Sequence, residues 1–227
     1  MRTGEVVLRI DEQLYATRFR WTSSCIAIKI ILIQGKKGGS RMPMPYLLVV
    51  TGRPGSGKTT FSRELSRQLC MPLISRDGLK EGYVHTFQKK HSKLPPEANK
   101  IVTEIFFDTV SNLISSNVSI IAEAAFQHKL WAPQLEKLME KARIFLLICK
   151  VEDEIALKRF VDRGLSDPMR EYFHHDKGVD LARKGIGLSI TPYEEPHLNV
   201  PTFHIDTTDD YIPSIEELRA TIWGANF

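Results

Sequence analysis

The segment Gly52-Arg53-Pro54-Gly55-Ser56-Gly57-Lys58-Thr59 restricts this chain more than any other. Its glycines let backbone N–H groups converge where a Cβ would stand in the way. Lysine and threonine follow directly, as in the pattern G-x-x-x-x-G-K-[ST]. Such a loop needs a strand leading in and a helix leading out. Tyr46-Leu47-Leu48-Val49-Val50 is the apolar, partly β-branched run of a buried parallel strand. Residues 60–69 carry Phe61, Leu65 and Leu69 at four-residue spacing, with Arg63, Glu64, Arg67 and Gln68 turned outward. That is an amphipathic helix, and its N-terminus adds partial positive charge to the loop.

A loop so placed predicts a seat for the polyphosphate of a nucleoside triphosphate. Lys58 reaches the β- and γ-phosphates, and Thr59 gives its hydroxyl to Mg²⁺. The candidate contacts for ATP are Gly52, Pro54, Gly55, Ser56, Gly57, Lys58, Thr59 and Thr60.

The rest of the chain sets the frame. Apolar strands alternate with helical patterns from residue 45 onward: strands at 72–75, 118–122, 144–151 and 202–206, helices at 95–116, 130–141, 152–163 and 212–223. The expectation is an α/β protein with a parallel sheet and helices on both faces. Residues 1–44 read as an appendage. They hold 8 Lys/Arg and 3 Asp/Glu, a net +5, while residues 45–227 hold 23 and 24, a net −1. The basic character therefore belongs to the appendage, and the motif-bearing part has no electrostatic bias toward nucleic acid. Two readings are open for the appendage: an extension upstream of a natural start at Met42 or Met44, or a small added hairpin built from alternating runs at 6–10 and 26–30. No apolar run reaches the roughly 20 residues that span a bilayer. Three scattered cysteines make no metal pattern and suit a reducing, cytoplasmic setting.

Three further groups carry chemistry. Asp77, just past the second strand, falls on the sheet edge where ligands of α/β proteins bind. It reads either as a base that takes a proton from an attacking hydroxyl or as the N-cap of the helix beginning at Gly78. Arg76 and Lys80 beside it suit an anion on the acceptor. Glu123 ends the third strand; it reads as a Mg²⁺ or acceptor contact, or as half of a structural ion pair. Phe126, His128 and Trp131 follow, as acceptor-pocket lining or as packing. Arg159 and Arg163 share one helix face and suit developing negative charge on a phosphoryl group. The basic stretch 164–187 after them reads as a lid. His174 and His175 within it read as surface or substrate contacts, since adjacent residues project apart.

With these residues assembled, 45 to about 165 resembles the P-loop kinase group that includes polynucleotide 5′-hydroxyl kinases and chloramphenicol phosphotransferase-like enzymes. Four elements carry the resemblance, in order: the phosphate loop; Arg76-Asp77-Gly78-Leu79-Lys80, similar to R-D-x-x-[RK]; Glu123, where the family has an acidic residue; and Lys158-Arg159-Phe160-Val161-Asp162-Arg163-Gly164, similar to K-R-x-x-x-R-G. The resemblance implies Asp77 as general base, Lys80 as acceptor contact and Arg163 as lid arginine. It implies a three-layer fold with a five-stranded parallel sheet in order 2-3-1-4-5. Glu123 departs from the family's Asp, and no phosphatase domain or basic groove accompanies it. The expectation is therefore an ATP- and Mg²⁺-dependent kinase acting on a small-molecule phosphoacceptor such as a nucleoside, nucleotide or sugar derivative. The alternatives are an ATPase, a non-catalytic ATP-binding module or a polynucleotide kinase. A GTPase is disfavoured because no N-K-x-D motif is present.

Overall fold

A computed structural model describes residues 5–10, 13–18, 43–186 and 192–224. The chain divides into two units, Met1–Met42 and Pro43–Phe227. In the first, β1 (Glu5–Ile10) pairs antiparallel with β2 (Gln13–Arg18), Glu5 opposite Arg18 and Ile10 opposite Gln13. The alternating run at 26–30 lies outside the described residues.

The second unit is built on five parallel strands: β3 (Tyr46–Thr51), β4 (Leu73–Ser75), β5 (Ile120–Glu123), β6 (Arg143–Lys150) and β7 (Thr202–Asp206). Their spatial order is β4-β5-β3-β6-β7, which is 2-3-1-4-5 counted within this unit, as expected. Side-chain alternation divides the sheet's residues between two cores. Leu47, Val49, Ala122, Ile144 and Leu146 point to one face, against Phe106, Val110 and Ile114 of α3 (Ala98–Ser115) and Trp131 and Leu135 of α4 (His128–Glu136). Leu48, Val50, Ile121, Leu147 and Ile205 point to the other, against Phe61 and Leu65 of α1 (Lys58–Leu69) and Leu218 and Ile222 of α8 (Ile215–Trp223). Because both faces are covered, the strands read as unbroken apolar runs.

Two stretches depart from the sequence reading. Helix α2 (Arg76–Phe87) follows β4 without a loop, its N-cap being Ser75, whose Oγ accepts from the Gly78 N–H at 3.4 Å. Asp77 is thus inside the first turn and does not cap it. After α5 (Asp153–Ser166), the basic stretch read as a lid, with no helix assigned to it, contains α6 (Pro168–His174) and α7 (Lys177–Arg183). Asp167 caps α6, accepting from the Met169 N–H at 2.9 Å, ahead of Pro168 at the first helical position. Each helix is only 7 residues long, too short for a clear apolar period. Among the described residues, no helix is long and apolar enough to cross a membrane.

Candidate active site

Strand register brings the site together. Val50 and Ser75 both stand opposite Glu123, so the tips of β3, β4 and β5 end at one level. The phosphate loop leaves β3 at this level, α2 leaves β4, and Glu123 ends β5.

The loop is shaped by backbone that only glycine tolerates well. Gly55 has φ +85°, and a Cβ there would lie 2.0 Å from the Ala156 carbonyl oxygen on α5. Gly57, at φ 76°, turns the chain into α1. No side chain caps α1, and no acidic residue sits in its first turn, so the helix presents bare N–H groups. The cradle is fastened from behind by Thr207, just after β7. Its buried hydroxyl lies 2.7 Å from the Ser56 carbonyl and 3.0 Å from that of Lys150. Thr207→Val keeps the shape and removes this donor. We expect a loss of about 1–3 kcal/mol in denaturant unfolding, the usual effect of stranding a buried acceptor. ATP affinity should weaken with it.

Lys58 is 8% exposed. Its ammonium has a 3.5 Å contact with the Arg53 carbonyl. Burial pushes its pKa below the ordinary lysine value, against the opposing pull of Glu123 and Asp77. Ser56 Oγ is also buried, with no hydrogen-bond partner. A desolvated cation, an orphaned hydroxyl and uncapped amides converging on one concavity fit a polyphosphate. Thr59 Oγ1 lies 3.4 Å from Glu123 Oε1, and Ser75 Oγ donates to Glu123 Oε2 at 2.7 Å. Glu123 is 2% exposed. One hydroxyl and one carboxylate suit Mg²⁺, which keeps several waters and needs no all-protein cage. No group of three or more His, Cys, Asp or Glu placed to hold a metal ion exists among the described residues.

Asp77 stands at the mouth of this concavity, its side chain 43% exposed. Burial alone would raise its pKa, but His174, Lys58, Arg76 and Arg170 together hold the carboxyl below its ordinary value. Arg76 Nη1 is 3.5 Å from Asp77 Oδ1, and Arg76 Nη2 donates to Asn99 Oδ1 at 3.0 Å. Arg163, near the end of α5, is exposed. Burial and Arg170 lower its pKa, while Asp176, Asp77 and Glu123 raise it, so it shares one field with Asp77.

Other expected contacts have different work. Arg159, read as a phosphate contact, donates to the Thr207 and Thr208 carbonyls at 3.0 and 2.5 Å. It ties α5 to the loop that holds the cradle. Thr60 and Pro54 are exposed. His128 stacks on His197 at 4.0 Å and its Nδ1 accepts from the His197 N–H at 3.2 Å. Trp131 is fully buried core, its indole donating to Thr51 Oγ1 at 3.0 Å. Phe126 does line an open groove of about 750 Å³ between α3 and α4, which has Arg76, Phe107, Lys129 and Leu130 on its walls. His174, read as a surface or substrate contact, is 5% exposed.

Lys80, expected to hold the acceptor, is 5% exposed and donates to the His174 carbonyl at 3.0 Å. It joins α2 to α6. Burial and the neighbouring Arg76 lower its pKa to about 8 from an ordinary 10.5. Between those two values the unfolded chain binds a proton that the folded one has released, so this group makes stability rise with pH across that window. Melting curves of the wild type and Lys80→Met at pH 7.5, 8.5 and 9.5 should show it: the wild type gains relative to the variant as pH rises. A constant gap between the two would count against it.

Sequence reading missed Ser75, Thr207 and the Arg53–Asp153 ion pair that braces the loop against α5. Only Ser75 left a trace, as the small polar residue just ahead of Arg76-Asp77.

With the geometry established, comparison with known proteins is direct. A family model described as the AAA domain matches residues 47–177, more than half of the chain. A Chloroflexus aurantiacus structure named as a "putative kinase" superposes with a TM-score of 0.63 at 23% identity, covering 79% of this chain and 97% of that one. The structure of APE1195 gives 0.52 at 19% identity, with coverages of 81% and 98%. A sugar kinase from Janibacter sp. gives 0.46 at 16% identity, with coverages of 80% and 94%. No curated protein sequence matches the chain. Loop, sheet order and family model agree: the chain belongs to the AAA-domain family of P-loop proteins, with the fold of the P-loop kinases.

Proposed function

We propose that this protein is an ATP-dependent phosphotransferase that moves the γ-phosphoryl group of ATP, with Mg²⁺, to a hydroxyl or phosphate of a small molecule. The observation that carries the reading is the position of Asp77. A carboxylate held below its ordinary pKa stands at the mouth of the phosphate cradle, within the field of Lys58 and Arg163. A protein that only binds ATP has no use for a base there.

In this reading Lys58 and the N-terminal amides of α1 hold the β- and γ-phosphates. Thr59 and Glu123 would hold Mg²⁺, which when bound would neutralise charge on the phosphates. Asp77 aligns the acceptor hydroxyl and takes its proton. Arg163 meets the negative charge that develops on the transferring group. The groove between α3 and α4 starts at Arg76, next to the base, and has the volume of an ordinary small-molecule site. It is the natural place for the acceptor.

The test is a transfer screen with γ-labelled ATP against nucleosides, nucleotides, sugars, antibiotics and a 5′-hydroxyl oligonucleotide. Label in one small-molecule class supports the reading. Label only in the oligonucleotide makes the protein a polynucleotide kinase, and label only in inorganic phosphate makes it an ATPase.

A further inference from the structure

Two carboxylates of α2 and one imidazole of α6 form a group that the reaction described so far leaves unused. Asp77 and Glu81 are four residues apart, so they share one face of α2. His174, the last residue of α6, meets both. Its Nε2 lies 3.0 Å from Glu81 Oε1, and its Nδ1 lies 4.0 Å from Asp77 Oδ1. The same residue's carbonyl accepts from Lys80. The preceding ring, Phe173, packs on His85 at 4.7 Å between centroids. The lid helix is therefore fastened to α2 largely through His174, and the free side of that imidazole faces the base.

The chemistry of the ring follows from its partners. An ionised Glu81 only accepts, so Nε2 must carry its hydrogen. Nδ1 is then the atom turned toward Asp77: a lone pair when the ring is neutral, an N–H when it is charged. A lone pair facing a carboxylate makes a proton between them welcome. The 4.0 Å gap closes with a small swing of either side chain or with one bridging water.

We propose that His174 is the positioning residue for Asp77: fixed in one tautomer by Glu81 and delivered by the lid, it orients the base and receives the proton the base removes. This rests on Asp77 being the base. The acceptor O–H bond breaks as its oxygen bonds the γ-phosphorus and the bond from that phosphorus to the leaving ADP oxygen breaks. The proton passes to Asp77 and on to Nδ1, leaving an imidazolium between two carboxylates. Because His174 belongs to α6, the base is complete only when α6 lies against α2. Transfer is thereby linked to a lowered lid. The charged and titratable groups that meet the ring or couple to Asp77 and Lys80 beside it are Arg76, Asp77, Lys80 and Glu81 of α2, Arg170, His175 and Asp176 of the lid, His91 of the turn at 91–93, and Lys58 and Arg163.

The test pairs kinetics with spectroscopy. His174→Gln keeps an amide donor for Glu81 and loses the titratable Nδ1. The expected result is a fall in kcat for transfer of about tenfold or more. The ATP Kd should stay unchanged, and the rise of kcat with pH should flatten. A kcat within about twofold of wild type with the same pH profile overturns the proposal. In ¹⁵N-histidine spectra, His174 should show the Nε2–H tautomer, its Nδ1 signal should move in Asp77→Asn, and the tautomer preference should be lost in Glu81→Gln. An Nδ1 signal unmoved in Asp77→Asn overturns it as well. A wild type that transfers to no acceptor refutes the kinase reading instead; the spectra need no acceptor and still decide whether His174 and Asp77 are paired.

Discussion

Asp77→Asn should retain ATP binding and lose phosphoryl transfer by about 10²–10⁴-fold, the range for removing a positioned general base. The argument runs through position. Asp77 sits on the first turn of α2, across the cleft from the phosphate loop. Asparagine preserves its volume and an oxygen for Arg76, 3.5 Å away, but cannot take a proton. Folding should be little affected, because Ser75 caps α2 and keeps its bond to the Gly78 N–H. What is lost is one acidic residue near a helix N-terminus, worth about 0.3–1 kcal/mol. Rapid-quench transfer assays beside equilibrium ATP titrations separate the two effects. Equal loss of binding and transfer would mean that Asp77 shapes the nucleotide site.

Lys58→Ala should have the opposite signature, with large losses in both ATP affinity and turnover. Removing one preorganised donor to a transferring phosphoryl group costs about 3–4 kcal/mol, or 10²–10³ in rate. The accompanying expectation concerns stability. Burial already pushes the Lys58 pKa down, and the ammonium's hydrogen bond to the Arg53 carbonyl is a long one, 3.5 Å. Substitution with alanine removes a desolvated charge, so the variant without ATP should melt at the wild-type temperature or above it. The wild type should regain the advantage when ATP is added, since a ligand that binds only the folded state stabilises it. A variant that melts well below wild type without ATP would show that Lys58 supports the fold itself.

The parts of the fold that could be read from sequence are those where one physical signal acts alone. Buried parallel strands are unbroken apolar runs, and β7 was placed at residues 202–206, as found. The phosphate loop was legible because glycine is needed wherever backbone meets backbone this closely, as Gly55 does against Ala156. Helix α2 was legible only as one alternative, a helix from Gly78: with only Lys80 and Val84 buried, it lacks an apolar stripe. Helix α6 is held by its Asp167 cap and by contacts with α2 and α5, and α7 by contacts with α5, rather than by periodicity. Lys58 and Thr59 were legible as candidates because the phosphate-loop pattern asks for those residue types at those places. For Arg159, Lys80 and His128, spacing put each near the site, but only the folded chain shows the carbonyl or neighbouring ring that each one meets. Thr207 and Ser75 contribute single hydroxyls whose partners lie 151 and 48 residues away, beyond the reach of any local pattern.

The central claim is that the γ-phosphoryl group leaves ATP for an acceptor bound beside Asp77. A single-turnover time course with γ-labelled ATP, with and without a small-molecule acceptor that saturates the protein, tests it most directly. The account predicts that the acceptor speeds consumption of ATP, that the label appears in the phosphorylated acceptor, and that Asp77→Asn abolishes this while still binding ATP. Label arriving only in inorganic phosphate, at the same rate with or without acceptor and in both proteins, would contradict it.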